Sequence, residues 1–386
     1  MDRSLRVTTP RDFTGNLLRA WKGADARAEL VGNPRSAEPD AIAASSVQRS
    51  DPMNSNRRTL CAGTLAALAM PRLGVAQPSP RVRRIGYLSL SKADAEVNQI
   101  TRKILLESLR RRGWELDKNL LIERRYAEGD IARLDTLAAE LLRSGVELIV
   151  ASLNPAIIAT QRATRTIPIV MVGGVFPVEV GLVQSLARPG GNVTGTAVEV
   201  VELYARTFQL MRELAPRRTH IVFLTAPAAP GSERITQVAR GETSRAAQTL
   251  GMTIQYIEVK APDDFAGALE QIAANRAELL FVSQSGVFEP RMREITAFAI
   301  RNRILSAGAF TLFASVDGAM YYGSNLQDII DRSVSFVDRI LRGAKPGDLP
   351  VELPTKFDLI LNLKTLRAID ISVPKNVLLQ ATEVIE

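Results

Sequence analysis

The sequence predicts an α/β protein made of two doubly wound lobes with parallel sheets and a ligand cleft between them. Short apolar strands alternate with amphipathic helices from Arg83 onward, and this pattern restarts near residue 219. The chain is 46% apolar but only 5% aromatic. Such an aliphatic composition suits parallel strands that are covered by helices on both faces. With 386 residues, the chain is long enough for two domains.

The first half contains five predicted strands with helices between them. The strands are RIGYLSL (84–90), NLLIERRYAEG (119–129), VELIVASLN (146–154), IPIVMVGG (167–174) and NVTGTAV (192–198). Two of the helices end at Gly113 and Gly145, in the position where glycine stops helices. The helix after the third strand is expected to have Asn154 as its N-cap and Pro155 in its first turn.

The second half repeats the arrangement. Its predicted strands are THIVFLTA (219–226), MTIQYIEV (252–259), AELLFVSQ (277–284), ILSAGAF (304–310) and GAMYYGS (318–324). A helix over about 326–342 and a late strand TKFDLILNL (355–363) complete the chain. We therefore expect two similar α/β halves in tandem.

The glycine-rich stretch ARPGGNVTGT (187–196) has the composition of a phosphate-binding loop but lies in the wrong place. A nucleotide fingerprint needs its glycines directly after a strand and at the start of a helix. Here they follow a predicted helix (178–188) and precede a strand. The stretch therefore predicts a turn.

The N-terminal region has the layout of an exported protein. Residues 53–76 contain the arginine pair Arg57 and Arg58 near their start, followed by an apolar run too short to span a bilayer and small residues up to Ala76, which together indicate a signal peptide. Residues 1–52 then form a non-native or disordered extension. The alternative is a cytoplasmic protein with a buried N-terminal helix. Sequencing the N-terminus of the secreted protein separates the two.

The residues of common active sites are missing. The single cysteine, Cys61, lies in the predicted signal peptide, and the single histidine, His220, begins a strand, where a structural role is expected. The sequence contains no HExxH, P-loop or GxSxG motif and no cysteine pair, so no pattern in it indicates catalytic residues or a metal site, while an enzyme that uses Asp, Glu or Lys alone stays an alternative. The net charge of +8 is shared equally between residues 1–76 and the rest, which argues against nucleic-acid binding.

Five segments together resemble one known family. They are IERRYAEGD (122–130), TIPIVMVGG with PVEVGLV (166–183), RPGGNVTG (188–195), GAMYYGSN (318–325) and ILRGAKPGDLPVELPTKFDLILNLKTLRAI (340–369). In this order they are similar to the periplasmic substrate-binding proteins of ATP-binding-cassette (ABC) transporters that include tryptophan- and tyrosine-binding members. The resemblance runs from about Arg83 to the C-terminus.

The resemblance implies a type I periplasmic-binding-protein fold with three chain crossings. Lobe 1 would hold residues 83–198 plus 326–343, and lobe 2 would hold 199–325 plus 344–386. The protein would be a periplasmic monomer that captures a small organic solute, without a cofactor and without catalysis. It would deliver this solute to an ABC transporter permease in the inner membrane.

Candidate ligand-binding residues lie where predicted strands end. In lobe 1 the start of the helix at Asn154, Pro155 and Ala156 could hold a ligand carboxylate, because free N–H groups and the helix dipole favour an anion. The other candidates are Ser89, Ser91, Gly174 and Phe176 in lobe 1 and Ser283, Gln284, Ser285 and Phe310 in lobe 2. Each also has a structural alternative, either capping the next helix or packing under a loop.

One position departs from the family pattern. Relatives commonly read Asp-Pro-Val after the fourth strand, whereas this chain has Phe176-Pro177-Val178. The missing carboxylate weakens the case for binding an amine. The expected solute is therefore an amino acid, with aromatic ones included, or an aromatic acid without an amine. Two alternatives stay open: a ligand-sensing receptor domain for a membrane signalling partner, and a small-molecule enzyme on the same fold.

Overall fold

The structure, a computed structural model, describes residues 7–8, 82–227, 233–260, 263–285 and 287–386. The predicted signal peptide and, apart from Val7–Thr8, the predicted extension lie outside these residues. Within them, two separate sheets are present, of five and eight strands. The predicted two-lobed α/β fold is thus confirmed, while the residue bounds given to the lobes stay predictions.

Lobe 1 is built on the five-stranded sheet, whose order is β3-β2-β4-β5-β6 and whose strands are all parallel. Its strands are β2 (Arg83–Ser89), β3 (Leu120–Tyr126), β4 (Leu148–Ser152), β5 (Ile169–Val175) and β6 (Val193–Val198). Its helices are α1 (Glu96–Arg111), α2 (Leu134–Arg143) and α3 (Leu153–Ala163). Aliphatic side chains on both sheet faces are buried under helices, as expected for parallel strands.

Lobe 2 is built on the eight-stranded sheet, whose order is β1-β13-β12-β11-β10-β9-β7-β8. Its strands are β1 (Val7–Thr8), β7 (His220–Thr225), β8 (Thr253–Glu258), β9 (Leu279–Val282), β10 (Leu305–Gly308), β11 (Met320–Ser324), β12 (Phe357–Asn362) and β13 (Glu383–Ile385). Its helices are α4 (Val200–Leu214), α5 (Glu233–Thr249), α6 (Asp264–Ala274), α7 (Met292–Arg301), α9 (Leu363–Ala368) and α10 (Lys375–Leu378). Strands β11 and β12 are antiparallel, and the other pairs are parallel.

Helix α8 (Leu326–Leu341) follows a lobe 2 strand but packs against α1, β4, β5 and β6 of lobe 1. The chain therefore passes between the lobes near Glu199, near Asn325 and along residues 342–356. Polar contacts tie these crossings together. The Asn325 side chain donates to Asp358 Oδ2 over 2.8 Å, and Arg332 of α8 donates to Glu352 over 2.9 Å in the third crossing.

Two local predictions in lobe 1 are wrong. Residues 178–188 form turns and not a helix, because Gly181 takes a left-handed φ of 72° that ends the helical geometry, although Leu182 and Val183 still bury in the core. Asn154 is not an N-cap: helix α3 begins at Leu153, and Ser152 occupies the cap position without a side-chain bond. The glycine stretch does lead into β6 as a turn, as predicted.

Candidate functional site

A cavity of about 260 Å³ lies between the lobes, at the carboxyl ends of strands from both sheets. Lobe 1 contributes residues that follow β2, β4 and β5, and lobe 2 contributes residues that follow β7 and β9. In lobe 1, β3 and β4 lie on opposite sides of β2, and in lobe 2, β8 and β9 lie on opposite sides of β7. In each sheet the order in which successive strands are added therefore reverses beside the cavity. In open α/β sheets, this topological switch point is where ligands bind.

Aromatic side chains form the lobe 2 wall of this cavity. Tyr204 of α4, Phe223 of β7 and Tyr256 of β8 line it. The ring centroids of Phe223 and Tyr256 are 5.1 Å apart, and those of Tyr204 and Phe223 are 5.5 Å apart in an edge contact. Behind them Phe281 packs 4.8 Å from both Tyr204 and Phe223. The resulting surface suits a flat apolar or aromatic group.

Among the described residues, Arg240 is the charged side chain that lines the cavity. Its Nη2 donates to Glu258 Oε2 over 2.6 Å, and its guanidinium lies 5.2 Å from the centre of the Tyr256 ring. The Arg240 side chain is therefore held by an ion pair and a cation–π contact. It gives the cavity a cationic edge that is already partly neutralised by Glu258.

Burial raises the pKa of the Tyr204 hydroxyl above its usual range, and nearby Tyr256 adds to this effect. Burial also raises the pKa of Tyr256, against the opposing influence of Ser244 and Arg240. Both hydroxyls therefore stay protonated at neutral pH. The Tyr256 hydroxyl donates to the Arg240 carbonyl over 3.0 Å. No described group hydrogen-bonds the Tyr204 hydroxyl, which leaves it available to a ligand.

Strained backbone forms the lobe 1 wall. Leu153 and Phe176 both line the cavity and both have left-handed backbone, with φ of 64° and 51°. Asn154 holds the two segments together: its Nδ2 donates to the Val175 carbonyl and its Oδ1 accepts from the Val175 N–H, both over 2.8 Å. Left-handed non-glycine residues are uncommon and concentrate at functional sites.

Six of the predicted ligand-binding residues line the cavity. They are Asn154, Pro155, Phe176, Ser283, Gln284 and Ser285. Ser285 Oγ accepts from the Val287 N–H over 3.2 Å, so it also begins the following turn. The side chains of Ser283 and Gln284 make no hydrogen bond to other described residues. Their role in binding stays a prediction.

The other five predicted residues lie outside the cavity lining. Ser89 is buried and hydrogen-bonds Asn98 Oδ1 over 3.4 Å. Ala156 and Phe310 are buried in core clusters. A Cβ on Gly174 would lie 2.8 Å from the Met171 sulfur, so this glycine serves close packing. Ser91 lies near a different interlobe cavity.

That second cavity, of about 220 Å³, is lined by the start of α1 in lobe 1 and by the segment before α7 in lobe 2. Glu289 of lobe 2 lines it and hydrogen-bonds Ser91 of lobe 1. Burial raises the pKa of the Glu289 carboxyl, and the bond to Ser91 opposes the shift only in part. This carboxyl is therefore protonated more readily than an exposed one.

The cavity residues that the predictions missed have only weak signals in the sequence. Tyr204 and Phe208 are four residues apart on α4, and both contact Phe281, which is typical of core packing. Tyr256 is two residues from Ile254 on β8, so both half-buried side chains lie on one face of the strand, as in any ordinary strand. Only the pairing of β7 with β8 and β9 brings these rings to one cavity.

The described part of the chain contains no group of three or more His, Cys, Asp or Glu residues placed to hold a metal ion. In the same ranges, no helix combines the length and apolar character needed to cross a membrane.

Residues 85–385 match the family described as ABC transporter substrate binding protein. The chain belongs to this family. A tyrosine-binding protein from Clostridioides difficile (strain R20291) is 24% identical over 277 residues, which are 70% of this chain and 76% of that protein. The family is the one that the sequence segments indicated.

Solved structures support the fold. The ABC domain in complex with L-Trp from Streptococcus pneumonia has a TM-score of 0.71 at 23% identity, covering 79% of this chain and all of that one. A conserved domain protein from Vibrio cholerae has a TM-score of 0.70 at 22% identity with the same coverage. At these identities, the similarity confirms the two-lobed fold of this ABC substrate-binding protein.

Proposed function

We propose that this protein is the solute-binding component of an ABC transporter and captures a small aromatic solute in the cavity between its lobes. The solute is an amino acid such as tyrosine or tryptophan, or an aromatic acid without an amine. The observation that carries the proposal is the wall formed by Tyr204, Phe223 and Tyr256. The names of the tyrosine-binding relative and of the structure with bound L-Trp agree with it.

The charges around the cavity bear on the choice between the two solute types. No carboxylate lines the cavity within the described residues, and Phe176 lines it at the position where the family resemblance implies an aspartate. An ammonium group would therefore lack a paired anion, at a considerable cost in desolvation. Arg240 and the start of α3 instead offer positive charge and N–H groups to a carboxylate. These features favour an aromatic acid over an aromatic amino acid.

Calorimetric titration of the full-length chain with L-tryptophan, L-tyrosine and benzoate tests both statements. We expect saturable binding of at least one of them, with the acid binding more tightly.

Tyr204→Phe keeps the ring contacts and removes the hydroxyl. It should weaken binding about two- to tenfold, the range for one hydrogen bond to a ligand. Tyr322→Phe, in a ring stacked on Phe357 away from the cavity, is the control. Absence of binding by all three solutes would refute the proposal.

We further propose that the mature protein is a periplasmic monomer that delivers its solute to an inner-membrane permease, without nucleic acid as a partner. Deleting the gene should abolish uptake of the bound solute. If uptake persists and a membrane signalling protein co-purifies instead, the role is sensing. Size-exclusion chromatography with light scattering measures the oligomeric state.

A further inference from the structure

Three hydrogen-bond donors of lobe 1 lie together outside both cavities. Arg124 and Tyr126 are two residues apart on β3, so they project from the same face of the sheet. The strand register places Arg124 beside Tyr87 and Tyr126 beside Ser89, and the rings of Tyr87 and Tyr126 are 6.0 Å apart. Arg102 lies on α1, whose buried residues pack in the same core cluster as Tyr87 and Tyr126. Because β3 is an edge strand, the group lies at the margin of the lobe.

The Arg124 side chain carries a donor that its surroundings leave unsatisfied. Its Nη2 is buried and has no hydrogen-bond partner. Burial lowers the pKa of Arg124, and the positive charge of Arg102 lowers it further. Burial raises the pKa of Tyr126, while the charges of Arg124 and Arg102 both oppose this. The charge of Arg102 therefore influences Arg124, and the charges of both guanidinium groups influence the Tyr126 hydroxyl.

Other arginines of the same two strands have carboxylate partners. These pairs are Arg83 with Glu147 at 3.2 Å, Arg84 with Glu123 at 3.3 Å and Arg125 with Glu140 at 2.9 Å. Neither Arg102 nor Arg124 forms an ion pair within the described ranges. Asp117 acts on Arg124 from beyond ion-pair distance. Arg124 on one face of β3 therefore lacks a carboxylate partner at ion-pair distance within the described ranges, whereas Arg125 on the opposite face pairs with Glu140.

We propose that Arg102, Arg124 and Tyr126 form a binding site for an oxyanion, either a carboxylate or a phosphate group, on the outer margin of lobe 1. Buried polar groups in native proteins nearly always have partners, so a buried guanidinium nitrogen without one is open to a partner that the protein itself does not supply. The planar fork of arginine matches the oxygens of carboxylate and phosphate. An anion here would relieve the repulsion between the two arginines. The site is separate from the solute cavity, whose lining contains none of the three residues.

The test is thermal unfolding of the full-length chain against increasing phosphate, and in a separate series acetate, with chloride holding the ionic strength constant. We expect a saturable rise in the unfolding midpoint with at least one of the two anions. The anion with the lower half-saturating concentration identifies the group that the site prefers.

In Arg124→Gln and in Arg102→Gln, the half-saturating concentration should rise at least tenfold. The matched control is Arg125→Gln, on the same strand and the opposite face, which should stay within twofold of the unmodified chain. Arg102 is exposed, so its variant tests the site even if Arg124→Gln folds poorly. Equal stabilisation of all variants, or no saturable effect of either anion, would overturn the proposal. Solute binding in the interlobe cavity should not change, which keeps this test independent of the proposed function.

Discussion

Removing the Asn154 side chain tests whether one amide holds the lobe 1 wall of the cavity in place. Asn154 joins the start of α3 to the end of β5 through two hydrogen bonds of 2.8 Å to Val175. Leu153 and Phe176 directly flank these two residues and have left-handed backbone. Asn154→Ala would leave the N–H and the carbonyl of Val175 without their partners and would release the strained segments.

The expected cost follows from the two partly buried groups. Leaving each without a partner costs about 1–2 kcal/mol, so the free energy of unfolding should fall by about 2–4 kcal/mol. For a chain of this size, that corresponds to a fall of roughly 2–5 °C in the unfolding midpoint. Relaxation of Leu153 and Phe176 would also disorder the wall. A loss of about 1 kcal/mol of preorganisation would weaken solute binding about fivefold.

Asn119→Ala is the matched control. Asn119 also makes two hydrogen bonds of 2.8 Å, to the Glu115 N–H and the Gly113 carbonyl, but both are exposed. Water can replace its side chain there, so the cost should stay below about 1 kcal/mol with unchanged solute binding. Differential scanning calorimetry and solute titration measure both effects. If the two variants are equally stable, or if Asn154→Ala binds solute normally, the positioning role of Asn154 is refuted.

Two further predictions concern backbone and charge. Gly195→Ala should lower the free energy of unfolding by about 3 kcal/mol or more in a urea titration, because the new Cβ would lie 2.2 Å from the Met171 carbonyl oxygen at a φ of 128°. Gly191 has open space around it, so Gly191→Ala should be nearly neutral in the same titration. Glu289 has a raised pKa in the folded protein, so its contribution to stability is present at acidic pH and is lost as the pH rises through that raised pKa. Relative to Glu289→Gln, the unmodified chain should therefore lose stability as the pH rises above the ordinary glutamate pKa of about 4.3, and unfolding midpoints that stay parallel as the pH rises would contradict the burial of that carboxyl.

Most of the fold was predictable from the sequence because buried parallel strands leave continuous aliphatic runs. Each strand predicted from Arg84 onward has a counterpart, usually shorter by one to three residues at the ends. The three-residue β13 was missed, since so short a run has no periodicity of its own. The predicted helix over 178–188 was wrong because its apolar spacing reflects burial of Leu182 and Val183 in a turn.

The site was less predictable, because side chains reach it from within elements as well as from strand ends. The rule that ligands lie beyond strand ends led to Asn154, Phe176 and the serines after β9. It could not lead to Arg240, which lies within helix α5. The Arg240 side chain is held beside the cavity by its contacts with Glu258 and Tyr256. Nor could it separate Phe310, buried in the core, from a residue facing the cavity.

The two walls of the cavity depend on different parts of the chain, and this difference makes the proposals separable. The lobe 1 wall is shaped by backbone that Asn154 holds, so changes there should alter stability and solute affinity together. The lobe 2 wall is made of rings that pack on Phe281, with the Tyr204 hydroxyl free of protein partners among the described residues. Removing that hydroxyl exposes no buried group, so it should change affinity while stability stays the same. A protein in which the lobe 1 and lobe 2 variants behaved alike would not bind its solute in this cavity.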